Sequence, residues 1–230
     1  MIEYIENKTL GEGYYKITHG SGLAIYVYPK EGYNSSYAVF GTNYGSVDTC
    51  FKRSDRDGFT TIPAGTAHFL EHKLFESEEL GAFERYAKTG ASANAYTGFD
   101  RTCYLFSCTG SFKENFEILI DFVRHPYFTE ETVRKEQGII GQEIDMYRDV
   151  PDWECLFNML KCMYHTHPVK TDIAGTKESI SQITAQMLHE CYATFYNLGN
   201  MALAVAGNVT PEEVIEVADR LIKPDADFTV

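Results

Sequence analysis

Apolar positions recur along this chain with two different periods. Over residues 22–30, GLAIYVYPK, and 37–41, YAVFG, β-branched and aromatic residues cluster between Gly, Pro and Asn, which predicts two strands. Pro63, Gly65 and Thr66 then punctuate the entry to a helix over 65–76, GTAHFLEHKLFE. In LGAFERYAKTG, Leu80, Phe83, Tyr86 and Ala87 share one helical stripe that Gly90 ends, and SANAYTG and TCYLFSC return to strand. Ser111 and Glu114 have capping-box spacing before FKENFEILIDFVRH, a long helix runs from near Thr129 to about Arg148, and another covers 152–164. A loop rich in His, Pro, Thr and Gly (165–176) leads to a helix around 184–197, the strand MALAVAGN, and a last helix opened by Thr210, Pro211 and Glu213.

Strand pairs interspersed with helix pairs, without the steady alternation of a doubly wound sheet, predict an α+β layer fold. The chain has no internal repeat, low-complexity segment or internal linker. Residues 1–222 are therefore expected to form one domain, with 223–230, KPDADFTV, as a tail or the start of a linker to a second domain.

Composition adds a few exclusions. With 230 residues and 44% hydrophobic content the chain can bury a proper core, and a net charge of −13 argues against a nucleic-acid partner. The N-terminal stretch lacks the basic and apolar regions of a leader, and no apolar run approaches a membrane span, so a cytoplasmic protein with no membrane partner is expected. The six cysteines form no C-x-x-C pair and are expected to be buried free thiols.

The chemistry concentrates in the first helix. His68, Glu71, His72 and Phe75 fall on one stripe, while Ala67, Leu70 and Leu74 fall on a neighbouring stripe that can pack. Two histidines at i and i+4 can reach one zinc ion, and a glutamate beside them can take a proton from water; a solvated polar face is the bland alternative. A catalytic zinc needs one more ligand from a second element. The long helix offers Glu136 and Glu143, two turns apart on the same face, with Ile139, Ile140, Ile144 and Tyr147 around them. A buried carboxylate pair needs partners, and a metal with its histidines would serve. No G-x-S-x-G elbow or cysteine-protease signature competes. His165 and His167, in YHTHP, suit a loop; His125 before Pro126 ends a helix; His19 and His189 have no evident companions.

GTAHFLEHKLFES, followed about 70 residues later by EQGIIGQE, resembles the pitrilysin (inverzincin) family of zinc metallopeptidases, which includes insulin-degrading enzyme and the mitochondrial processing peptidase. GASANAYTGFDRTCYLFSC and the stretch from HPVKTDIAGTKES to LAVAGNV agree in type and order, so the resemblance spans roughly residues 20–222. It implies a mixed, largely antiparallel sheet with helices on one side and an endopeptidase that holds one zinc ion per domain. By position His68, His72 and Glu143 would be zinc ligands, Glu71 the general base and Glu136 a carboxylate supporting the site. Asn94 and Ala95 would lie on the strand along which an extended peptide adds, with Tyr96 and Phe75 as further candidate substrate contacts, although packing is the simpler role for Phe75, Tyr96 and Tyr104. The resemblance also implies a peptide or small-protein substrate and a second, similar domain closing over the cleft, in cis or from another chain. A peptide-binding or assembly subunit that does not cut, and a metal-dependent hydrolase of a non-peptide substrate, are the competing expectations.

Overall fold

The computed structural model describes residues 1–225 and 230. Among the described residues nine strands and eight α-helices follow one another as β1 (Ile2–Asn7), β2 (Glu12–Thr18), β3 (Ala24–Pro29), β4 (Ser36–Thr42), β5 (Cys50–Phe51), β6 (Thr60–Thr61), α1 (Thr66–Leu74), α2 (Ala82–Thr89), β7 (Ser92–Thr97), β8 (Thr102–Cys108), α3 (Phe112–Arg124), α4 (Glu130–Arg148), α5 (Pro151–Met163), α6 (Lys177–Ile180), α7 (Ala185–Phe195), β9 (Met201–Gly207) and α8 (Pro211–Leu221). Seven strands form one sheet in the order β1-β2-β3-β9-β4-β8-β7, and β5 and β6 form a separate small hairpin. Only β3 and β9 run parallel; the other neighbours are antiparallel. This is the α+β architecture expected, with the helices on one side.

Strand alternation explains which side they cover. Ile25, Val27, Ala38, Phe40, Tyr104, Phe106 and Leu203 are fully buried, whereas their strand neighbours Tyr37, Ala202 and Ala204 are exposed. The register sets Ile25 opposite Leu203 and Phe40 opposite both Leu203 and Tyr104, so one apolar row crosses the sheet. Leu70 and Leu74 of α1, Phe116 and Leu119 of α3, and Leu188 of α7 join that core.

Several expectations change. The hairpin β1–β2 has no fully buried side on β1, so its apolar alternation carries no inside–outside signal and the sequence pattern does not distinguish it. Ser111 does not cap α3: it sits in the left-handed region at φ 50°, without a side-chain cap bond, while the Asn115 side chain donates to the Gly110 and Ser111 carbonyls at 3.2 and 3.0 Å. The second capping box does form, with Glu213 accepting from the Thr210 N–H at 3.0 Å and Thr210 accepting from the Glu213 N–H at 3.3 Å. On α2 the buried residues are Ala82 and Tyr86; Phe83 is exposed and stacks on Phe75 at 4.3 Å. Cys103, Cys108 and Cys191 are buried free thiols, but Cys50, Cys155 and Cys162 are exposed. Of the expected tail, 226–229 lie outside the described residues, whereas Asp225 accepts from the Leu198 N–H at 2.9 Å and pairs with Arg124. Among the described residues no helix is long and apolar enough to cross a membrane.

Candidate metal centre

The start of α1 is fixed by two crossing backbones. Gly65 precedes the helix at φ 90°, and a Cβ there would stand 2.4 Å from the Ala174 carbonyl oxygen; a Cβ on Gly175 would stand 2.5 Å from that of Ala64. Only glycine permits this approach, which holds the helix against the loop carrying Asp172, Ile173 and Ala174.

From that start α1 turns His68, Glu71 and His72 away from the core. Helix α4, packed alongside, brings Glu136 and Glu143 to meet them. The Glu143 carboxylate lies 3.7 Å from His68 Nε2 and 3.4 Å from His72 Nε2. Donors placed tetrahedrally around zinc at about 2.0–2.1 Å are about 3.3 Å apart, so this spacing fits one ion. Among the described residues His68, His72 and Glu143 are the one group of three or more His, Cys, Asp or Glu side chains whose donor atoms come close enough for a metal, all within 4.8 Å.

The surrounding groups suit a cation. Glu136 is 5% exposed and its Oε1 lies 2.8 Å from His72 Nδ1, which leaves His72 Nε2 facing Glu143. Burial and the neighbouring His72 push the His68 imidazole down to about 3, so it is neutral as a ligand must be. Burial opposes charge on His72, but the Glu136 bond and the charges of Glu71 and Glu143 outweigh it and raise its pKa. A bound cation would compete with that proton. Burial also raises Glu143, despite the opposing pull of His72, with further upward pushes from Glu136 and Asp172. Three carboxylates thus surround two imidazoles, and among the described residues no Lys or Arg lines the cleft to balance them.

Glu71 is 8% exposed and accepts a hydrogen bond from Thr97 Oγ1 at 2.6 Å. Burial raises its carboxyl, while the Thr97 bond and His72 work the other way. It shares a cleft of about 320 Å³ with the three candidate ligands; Asn94, Ala95, Tyr96 and Thr97 of β7 form one wall and Tyr147, Trp153 and Ile173 line it elsewhere. Tyr147 stacks on Trp153 at 4.7 Å, and Trp153 donates to Asp172 Oδ2 at 2.6 Å. Strand β7 is the last of the sheet, so among the described residues its outer edge has no strand partner. At that strand the Ala95 N–H donates to the Asn94 side chain at 2.9 Å.

His68, Glu71, His72, Glu136, Glu143, Asn94, Ala95 and Tyr96 are thus brought to one place. Phe75 is not: it packs in the core against Phe83, Phe122 and Tyr104 and does not line the cleft. Thr97 and Trp153 were not among the candidates. Nothing in SANAYTG distinguishes Thr97 until β7 is laid beside α1. The other histidines lie elsewhere: His167 accepts from the Val169 N–H at 3.1 Å, His125 ends α3, His189 packs on Phe128, and His19, expected to be alone, joins Ser21 and Asp219 at 2.7 and 2.9 Å.

A sequence model of the family described as Insulinase (Peptidase family M16) matches residues 61–177, and one described as Peptidase M16 inactive domain matches 182–223. The chain is 54% identical over 215 residues to a Bacillus subtilis protein described as "Uncharacterized zinc protease YmfH", covering 94% of this chain and 50% of that one. A zinc protease of Rickettsia felis, also described as uncharacterized, is 31% identical over 162 residues, covering 68% of this chain and 39% of its own length. Among solved structures, one described as an M16-like peptidase from Alicyclobacillus acidocaldarius superposes with TM-score 0.88 and 39% identity, over 99% of this chain and 52% of that one. A Helicobacter pylori protease at 18% identity and TM-score 0.81 shares the fold, again over 99% of this chain and 52% of its own. This chain therefore spans about half the length, or less, of these relatives.

Proposed function

Because the chain belongs to the insulinase family of peptidases, family M16, we propose that it is the motif-bearing catalytic domain of a zinc metalloendopeptidase acting on extended peptides. The observation that carries the proposal is the convergence of His68, His72 and Glu143 in one cleft with the buried carboxylate of Glu71, beside an unpaired strand edge. In this proposal residues 1–222 form the domain and a second M16-like domain, in cis or from another chain, completes the cleft.

His68, His72 and Glu143 would hold the ion. Bound there, zinc supplies Lewis acidity at the scissile carbonyl and a more acidic water. Glu136 orients His72 through Nδ1, keeping Nε2 directed at the site. Glu71 takes the proton of the attacking water and returns it to the leaving amine. Thr97 holds the Glu71 carboxylate by a hydrogen bond, so the base on α1 is tied to the strand along which the peptide would lie. A substrate strand laid along β7 would exchange hydrogen bonds with backbone, which reads an extended chain with little regard to sequence; it must take the Ala95 N–H over from Asn94.

The test is Glu71→Gln, assayed for zinc by mass spectrometry and for cleavage of an unstructured peptide. Zinc retained at the wild-type level with turnover down about 10²–10⁴-fold is expected. Unchanged turnover would remove Glu71 from the mechanism, and a wild-type chain without zinc after reconstitution would remove the metal.

A further inference from the structure

Helix α5 is built in three sectors. At 100° per residue Trp153, Phe157 and Leu160 point one way, Glu154, Asn158 and Lys161 another, and Cys155, Leu156, Met159, Cys162 and Met163 occupy a third arc of about 120°, with Asp152 of the first turn at its N-terminal end. The first sector faces the molecule: Phe157 is 3% exposed and Trp153 stacks on Tyr147 of the cleft. This third sector, apolar beyond Asp152, faces solvent. Leu156, Met159 and Met163 are 39%, 49% and 62% exposed, Cys155 and Cys162 are exposed, and Met146 and Val150 at the turn from α4 are bare as well.

We propose that this methionine-rich face of α5 is where a second M16-like domain docks. The inference rests on the family assignment and locates the partner named above. An isolated domain rarely leaves this many large apolar side chains of one helix face uncovered, and the helix is the one whose Trp153 lines the cleft. The relatives supply the occupant: this chain covers 50% and 52% of the lengths of the Bacillus and Alicyclobacillus proteins, leaving a region of similar size to meet it. A second copy of this chain is disfavoured, since each carries a net charge of −13. Unbranched methionines suit a contact that must repack as a two-part cleft opens to admit a peptide.

The native thiols make the face measurable. The 230-residue chain is alkylated with N-ethylmaleimide alone and with the separately produced second half of the Bacillus subtilis relative, and Cys50, Cys155 and Cys162 are read by mass spectrometry. Complex formation is followed by sedimentation. The expected result is a one-to-one complex in which alkylation of Cys155 and Cys162 slows at least about tenfold while Cys50 is unchanged, and in which Met159→Asp weakens association by about tenfold or more. Unchanged alkylation of Cys155 and Cys162 within a complex, no complex at micromolar concentration, or protection that rises with concentration of the chain alone would each overturn the proposal. No peptide is cleaved in this assay. Failure here therefore leaves the hydrolytic assignment standing, and an inactive chain leaves the docking result standing.

Discussion

Replacing Glu136 by Gln separates a supporting carboxylate from a ligand. The residue is 5% exposed, and its 2.8 Å contact with His72 Nδ1 sets which ring nitrogen remains for a metal. Gln keeps the shape but loses the charge. Its amide can accept from Nδ1–H with a weaker dipole, or donate to Nδ1 and leave the ring proton on Nε2, where the metal would bind. Losing such a supporting contact costs about 10–100-fold in metal affinity, or about 1.4–2.7 kcal/mol. Glu143→Gln removes a charged donor 3.4–3.7 Å from both imidazoles and should weaken zinc further. Competition against a chromophoric chelator, with both variants and wild type side by side, gives the order directly. Thermal melts in EDTA check that the metal-free fold is similar in all three. Equal affinity for Glu136→Gln and wild type, or a larger loss than for Glu143→Gln, would refute the assignment of the two glutamates.

Two other perturbations probe the parts that hold the site. Thr97→Val deletes the hydrogen bond to Glu71 without changing shape; a bond to a charged group contributes about 1.5–3 kcal/mol, so kcat should fall about ten- to a hundredfold with zinc content unchanged, and an unaltered kcat would argue against the contact. Gly65→Ala forces φ 90° on an L-residue and drives a Cβ to 2.4 Å from the Ala174 oxygen. It should cost about 2–4 kcal/mol and lower Tm by roughly 5–15 °C; a Tm equal to wild type would show that the two backbones are not locked together.

Much of the candidate site was legible because it lies on two helices with a fixed period. His68, Glu71 and His72 declare a common face through spacing alone, and Glu136 and Glu143 do the same two turns apart. Choosing Glu143 as the ligand required the resemblance, because spacing treats the two alike. Thr97 and Trp153 were not legible, since each reaches the cleft only through packing between elements distant in sequence. Phe75 misled for the converse reason: a helical wheel places it with the histidines, yet it lies at the last turn, where α1 meets Phe83 and Phe122. The strands with one buried side were visible as alternation, whereas β1, exposed along most of its length, left no such mark. Ser111 shows that a matching capping pattern does not guarantee a capping conformation: the loop enters α3 left-handed and Asn115 takes over the preceding carbonyls.

The position of β9 bears on how the molecule is made. Strands β3 and β4 follow each other in sequence but do not pair; the slot between them is filled by Met201–Gly207. During vectorial synthesis the two halves of the sheet emerge with facing edges open, and the slot closes only after residue 207 has left the ribosome. Until then those edges can be captured by other nascent chains, which makes chaperone protection most valuable in this interval. A fragment cut at residue 177, where the first family match stops, would keep the histidines and glutamates yet lack the strand that joins the sheet, so the candidate metal site and the complete sheet have different ends.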